Sequence, residues 1–409
     1  FGVVGRSFFP TFEAVITNRD FRMLWFGMVL SMGGFQMQML VRTVLVYDLS
    51  DDRLITGLVT LGFAPSLLLV SLYGGVLSDR MERRLLIQVA QTVNGLLAGG
   101  VALLIITDNL AWGHLFAVSV IQGAMFALQM PARQAAIPSM VGKENLANAF
   151  ALNAMAMSLM SLIAPALGGW LYGQIDPEGV YLVVAVTMLV SVVFTSMVPK
   201  MYPPVAANAD SVVQNVVAGF RYIKNNKIVL NLMIYSVIVA LLSMPFRMMI
   251  PVYGKDIYGS DAAQVGILLT AVGLGGVIGS ISVANLRSGH RRGWFLLGGA
   301  IVSGASLGLV AGLPVFVAGL IGMIGIGLGE QARWALGQSL IMESTADEYR
   351  ARVMSVLMMT FGLMPLGVYP MALAMDYLGG QVAVGISAVL MLIFAVVSIS
   401  FLPRLRNLR

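Results

Sequence analysis

The chain of 409 residues contains no cysteine, and its two histidines, His114 and His290, stand far apart. The first absence excludes disulfides, thiolate metal sites and a cysteine nucleophile. The second excludes a histidine cluster for zinc or for a proton relay. Charge is scarce as well: Asp, Glu, Lys and Arg make up 11% of the residues. A soluble domain carries about 25%, so this chain cannot cover itself with a water-facing surface. No Gly-x-x-x-x-Gly-Lys-Ser/Thr loop occurs, which removes ATP as a direct energy source. Gly325-Ile326-Gly327-Leu328-Gly329 has glycines spaced as in a dinucleotide loop, but it lies inside an apolar run without the preceding strand that such a loop requires. It reads as a place of close helix packing. With no thiol, no paired acids and no clustered imidazoles, the chain is expected to be no enzyme and to carry no cofactor or metal.

What is present is apolar. Hydrophobic residues make up 58% of the chain, and the mean hydropathy is +0.87. A membrane helix needs about 20 mostly apolar residues to cross a hydrocarbon core of about 30 Å. Runs that satisfy this lie at about 21–47, 54–77, 85–107, 112–132, 149–172 and 181–198, then at 228–253, 262–286, 294–311, 315–336, 353–377 and 382–402. The expected fold class is an all-α membrane protein of twelve transmembrane helices, with both termini on one face.

The net charge of +6 is distributed so as to orient these helices. All of the 25 cationic residues except Arg42, Arg53, Arg247 and Lys255 fall on the terminal face. The opposite face carries Asp48, Asp51, Asp52, Asp108, Asp176, Glu178, Asp256 and Asp261. Cationic loops stay in the cytoplasm, so the terminal face is expected to be cytoplasmic, and the basic balance needs no nucleic acid to explain it. Residues 1–22 lack the small-residue cleavage site of a signal peptide and read as a cytoplasmic approach to the first span.

The long polar connection at 199–227 divides the chain. It opens with Pro199, Pro203 and Pro204. It then places Val212, Val213, Val216, Val217, Phe220 and Ile223 on one helical face, with Asp210, Gln214, Arg221 and Lys224 opposite. Such a helix suits the membrane surface. The expected units are a bundle at 1–199, a cytoplasmic linker at 200–227 and a second bundle at 228–409. The halves repeat: Ala132-Arg133 recurs as Ala332-Arg333, Pro165 as Pro365, and Arg83-Arg84 as Arg291-Arg292, each at the corresponding topological position. Two pseudo-symmetric six-helix bundles with a site between them are the design of a transporter that rocks one half against the other.

Several motifs sharpen this reading. Gly75-Val76-Leu77-Ser78-Asp79-Arg80-Met81-Glu82-Arg83-Arg84 resembles the loop signature of the major facilitator superfamily, with Glu82 in place of its second glycine. The resemblance implies a gate in which Gly75 lets helices approach, Asp79 faces a positive helix terminus, and Arg80, Arg83 and Arg84 hold the loop at the headgroups. Ala164-Pro165-Ala166-Leu167-Gly168-Gly169 resembles the antiporter signature of drug-exporting facilitators, with Ala164 replacing its first glycine; Pro165 bends the helix, and Gly168 and Gly169 allow close packing. Segments at 18–25, 130–138, 219–223 and 347–355 resemble the branch of bacterial enterobactin exporters and macrolide efflux proteins. That likeness covers nearly the whole chain and implies the major facilitator fold and export from the plasma (inner) membrane. Proton-coupled relatives often carry Arg-x-x-Gln-Gly in the fourth span; here Gln122-Gly123 is kept, but Ser119 stands at the arginine position.

Ionisable groups inside spans are costly and functional by default. Glu330 and Arg333 stand three apart on one face of the tenth helix and are expected to pair, with Arg133 at similar depth, all toward the cytoplasmic end. The alternatives are a structural clamp with Asp79 or a cargo or proton site. Arg42 and Arg247, near the outer ends of the first and seventh spans, either snorkel to the headgroups or, with Gln36 and Gln122, serve as coupling or cavity residues. Asp376 is expected to be interfacial. Met32 with Met28 and Met39, close to one face of the first helix beside Gln36, suits either a soft cavity wall or ordinary packing. The expected function is a secondary active exporter of small amphipathic, drug-like or siderophore-like molecules, acting as a monomer in the bilayer with protons as a candidate coupling ion. A lipid or lysophospholipid flippase of the same fold is the alternative.

Overall fold

The computed structural model describes residues 13–141, 145–202, 212–284, 292–361 and 363–401. Among the described residues the regular elements are helical. A short α1 (Glu13–Thr17) leads into α2 (Arg19–Ser50), whose cap residue Asn18 accepts from the Phe21 amide at 3.0 Å. Then follow α3 (Arg53–Leu61), α4 (Phe63–Arg80), α5 (Arg83–Ile106), α6 (Trp112–Met140) and α7 (Leu146–Ser196). The linker contributes α8 (Val212–Asn225), and the second half contains α9 (Lys227–Tyr258), α10 (Ala262–Ala284), α11 (Arg292–Gly312), α12 (Phe316–Glu343), α13 (Arg350–Phe361), α14 (Val368–Leu378) and α15 (Gly380–Phe401).

Nine of the described helices are long and apolar enough to cross a membrane, not the twelve expected. The difference has three local causes. Helix α7 is two spans joined where Ile175 and Asp176 leave helical geometry, Asp176 with φ 57°. Helix α12 is 28 residues long, but Glu330, Gln331 and Arg333 lower its apolarity. The expected eleventh span is broken into α13, a 3-10 turn at Met364–Gly367 and α14. The second span is likewise interrupted, between α3 and α4 at Gly62.

Acidic residues on the face opposite the termini shape its turns. Asp51 takes the left-handed conformation after α2, and Asp52 caps α3 by accepting from the Leu54 amide at 2.7 Å and the Ile55 amide at 3.2 Å. A short polar side chain satisfies orphan amides at a helix start.

The packing of the two halves differs between the faces. Toward the face opposite the termini, one continuous buried core joins Leu40, Val44 and Val184 of the first half to Phe246, Val265 and Met371 of the second. Toward the terminal face the core is divided. One cluster around Phe21, Ile87, Ile137 and Leu152 belongs to the first half; another around Leu232, Leu296, Leu340 and Leu357 belongs to the second. Between the halves α7 lies along α10 and α3 along α14.

Helix α8 is fastened to the second half. A Cβ on Gly219 would lie 2.8 Å from the Arg352 carbonyl, Ile223 is buried, and Tyr222 stacks on Tyr349 with centroids 4.5 Å apart. Val217 and Phe220, expected on the same apolar face as Ile223, are exposed. The side chains of Val212, Val213 and Val216 lie outside the described residues.

Candidate functional site

A cavity of about 340 Å³ lies between the halves. Helices α2 and α7 provide Met32, Gln36, Met157, Ser158 and Ser161 on one side. Helices α9, α10, α12 and α13 form the other wall, which carries the charged groups Arg247, Glu330 and Arg333 and the neutral polar groups Ser236, Ser243 and Gln331. Of the residues singled out in the sequence, the fold thus brings Met32, Gln36, Arg247, Glu330 and Arg333 to one chamber. Gln331, Ser158 and Trp334 also line it and carried no sequence signal beyond their place inside apolar runs.

The ion pair inside this chamber is not the one expected from spacing. Glu330 lies midway along α12, not toward its cytoplasmic end, and meets Arg247 of α9 at 3.5 Å. Arg333, 6% exposed, donates to the Gly299 carbonyl at 2.7 Å and to the Ser303 hydroxyl at 2.6 Å on α11. The cause is the packing of α12 between two helices. A Cβ on Gly325 would strike Ser306 and one on Gly329 would strike Gly299, both of α11, whereas one on Gly327 would strike the Val272 carbonyl of α10. This close fit turns Arg333 into α11 and leaves Glu330 facing α9. Arg247 therefore does not snorkel to the headgroups; it reaches into the cavity.

Arg42 does not reach the headgroups either. It is 3% exposed and donates to the Gln122 carbonyl oxygen, while the Gln122 amide donates to Gln38 at 2.7 Å. The arginine missing at Ser119 is thus supplied to Gln122 from the neighbouring helix α2. Sequence spacing within one helix could not reveal a partner on another. Arg133 is also buried and donates to the Ser31 hydroxyl at 2.9 Å, so each of the repeated arginines is turned into its own half.

Arg83 donates to the Ala135 carbonyl at 2.8 Å and Arg84 to the Val198 carbonyl at 2.6 Å. They bind carbonyls near the ends of α6 and α7, where a cation complements the helix terminus. The side chains of Gly75, Asp79, Arg80 and Pro365 lie outside the described residues. The antiporter-like segment sits where the halves meet: a Cβ on Gly169 would strike the Ala262 carbonyl, Gly168 lies against Met37, and the Pro165 carbonyl would be 2.7 Å from a Cβ on Gly266.

At the face opposite the termini, the halves exchange charges. Lys255 of α9 pairs with Asp48 of α2, whose carboxylate also accepts from the Tyr172 hydroxyl at 2.7 Å. In return Asp256 of α9 accepts from Arg53 at 2.6 Å and from the Tyr47 hydroxyl, with Asp376 of α14 3.9 Å from Arg53. By sequence Asp48 and Asp256 only mark a face. A signal was available: Asp48 and Asp256 stand 208 apart, the offset that relates Arg83-Arg84 to Arg291-Arg292.

A two-walled chamber between repeated helical halves is the arrangement of a membrane transporter, and residues 11–408 match the family described as transmembrane secretion effector. The chain belongs to that family. As a transmembrane secretion effector it is a multi-pass membrane transporter of the major facilitator type and not an enzyme. It is 25% identical to the enterobactin exporter EntS of Salmonella typhimurium strain LT2 over 344 residues, 84% of this chain and 80% of the relative. With the enterobactin exporter EntS of Escherichia coli O139:H28 the identity is 24% over the same shares. Among solved structures, a POT family transporter in complex with 5-aminolevulinic acid superposes with a TM-score of 0.78 at 13% identity, over 95% of this chain and 97% of that one. A mutant of the nucleoside transporter NupG gives 0.77 at 13% identity, over 93% and 99%. At such identities these structures speak to the fold alone. None of these likenesses supports the lipid-moving alternative.

Proposed function

We propose that this transmembrane secretion effector is a secondary active exporter of small amphipathic molecules, working by alternating access as a monomer in the bacterial inner membrane. The observation that carries the reading is the asymmetry of the core around the cavity. The halves share one core and a reciprocal charge exchange beyond the cavity on one face, and have separate cores on the face of the termini. A chamber shut on one side and divided on the other is one of the two states that rocking of the halves requires. The wall chemistry supports amphipathic cargo, since Met32 and Met157 offer soft apolar surface opposite the charged groups of α9 and α12. An ion gradient, with the proton as the candidate coupling ion, is the energy source. The test is uptake of dansyl derivatives, one anionic, one neutral and one cationic, into proteoliposomes with and without an imposed pH gradient. Accumulation of at least one of them against its own gradient, lost on adding a protonophore, is the expected result. Purely downhill movement would remove the coupling.

The terminal face is proposed to be cytoplasmic, from the distribution of cations. Because the chain has no cysteine, Val217→Cys on the exposed side of α8 provides a single thiol. A membrane-impermeant maleimide should label it in inside-out vesicles and leave it unmodified in intact cells. Labelling in intact cells would invert the topology.

A further inference from the structure

The charges of the cavity are unequal. Among the described lining residues, Arg247 and Arg333 stand against the single carboxylate of Glu330. Arg333 is satisfied by a carbonyl and a hydroxyl, and neutral acceptors hold a guanidinium without cancelling its charge. The chamber therefore keeps a net positive charge in a setting where water screens weakly. Arg247 is the accessible cation. Its side chain is 30% exposed, and it meets Glu330 through one contact of 3.5 Å, longer than the usual reach of a hydrogen bond. A guanidinium has five N–H donors arranged to take a carboxylate in a two-point grip, and a single long contact leaves most of that capacity unused. Ser243 and Gln331 flank the pair, and Met32 and Met157 lie across the chamber.

Resting on the transport reading above, we propose that Arg247 anchors the acidic group of an amphipathic organic anion, and that Glu330 is the internal competitor which holds Arg247 when cargo is absent. A carboxylate or sulfonate carried on an apolar body matches the chamber: the acid displaces Glu330 from the guanidinium, and the body lies against the methionine wall. Arg333 adds long-range attraction for the same sign of charge. The competition has a consequence that a structural strut lacks. An affinity is reduced by the fraction of molecules whose site is already engaged, so removing the Glu330 charge frees Arg247 and strengthens anion binding. If Glu330 only propped the helix, its loss would weaken binding, leave it unchanged, or give no more than the small gain from removing one distant like charge.

The experiment uses the full chain in nanodiscs, titrated with dansylglycine, an amphipathic carboxylate, and with dansylglycinamide, its neutral counterpart, followed by dansyl fluorescence. The expected result is that Glu330→Gln binds dansylglycine about tenfold more tightly than the unmodified protein. Arg247→Gln should bind it at least about tenfold more weakly, and Arg247→Lys should lie between. Dansylglycinamide should change by less than about twofold in every variant. Should Arg247→Gln fail to fold, the Glu330→Gln and Arg247→Lys titrations decide the matter. Unchanged, weaker or only slightly tighter dansylglycine binding in Glu330→Gln overturns the competition. If acid and amide bind alike and respond alike, the anion preference falls while the amphipathic cavity stands. Failure of both probes to bind the unmodified protein would take the cavity reading down with it.

Discussion

Gly327→Val should leave little folded protein. Gly327 meets α10 so closely that a Cβ would fall on the Val272 carbonyl and lie 3.1 Å from the Gly276 nitrogen. The contact is reciprocal, because a Cβ on Gly275 would fall on the Ile324 carbonyl. Backbone against backbone cannot yield by a side-chain rotation, so valine must push α12 away from α10. Helices in a bilayer associate through such close packing of small residues and not through exclusion of water, so the separation removes the attraction itself. Overpacking costs about 1–3 kcal/mol where side chains can adjust, and a clash of main chains belongs at or above the upper end. Thermal denaturation of the purified protein should show a clearly lower midpoint and reduced yield of monodisperse material. Gly100→Val, on α5 with nothing within 4 Å of the added carbon, should behave like the unmodified protein. Equal stability of the two variants would mean that α10 and α12 do not touch in this way. The effect would also reach the cavity, because the same approach turns Arg333 into α11 and leaves Glu330 facing Arg247.

Asp256→Asn is expected to open the face opposite the termini. Asp256 accepts from Arg53 at 2.6 Å and from the Tyr47 hydroxyl, both in the other half of the chain. Its side chain is 13% exposed, so the pair is better shielded than an ordinary surface ion pair worth at most about 1 kcal/mol. Neutralising it removes charge assistance from two bonds across the closure while leaving each bundle intact. Coupling energies of about 1–3 kcal/mol shift a two-state equilibrium about 5–150-fold. The measurement is the rate at which an impermeant maleimide added outside intact cells modifies Ser158→Cys in the cavity wall. It should rise at least about fivefold when Asp256→Asn is added. The second arm of the exchange provides a control: swapping Asp48 and Lys255 keeps opposite charges in contact and should leave the rate near that of Ser158→Cys alone. An unchanged rate with Asp256→Asn would show that the shared apolar core, and not the charges, holds this face shut.

Composition and hydropathy were enough to establish a helical membrane protein, because lipid demands long apolar runs and tolerates little else. The repeats at Arg133 and Arg333, Pro165 and Pro365, and the family likeness of the loops were equally open to reading, since they are local strings of residues. So was the presence of a costly charge at Glu330, Arg42 and Arg247, because a charge within an apolar run stands out whatever its surroundings. The partners of those charges were another matter. Spacing paired Glu330 with Arg333, three positions apart on one helix, but the glycines of α12 press it between α10 and α11 and send the two side chains to different neighbours. Ser119 suggested a Gln122 without its arginine, until α2 supplied Arg42 from across a helix boundary. Asp48 and Asp256 read only as markers of one membrane face and proved to be half of an exchange between bundles. A one-dimensional pattern records how polar each residue is and which side of its own helix it occupies. Which guanidinium meets which carboxylate depends on the rotation and separation of neighbouring helices, and those are set by main-chain contacts between helices at glycines such as Gly327 and Gly329.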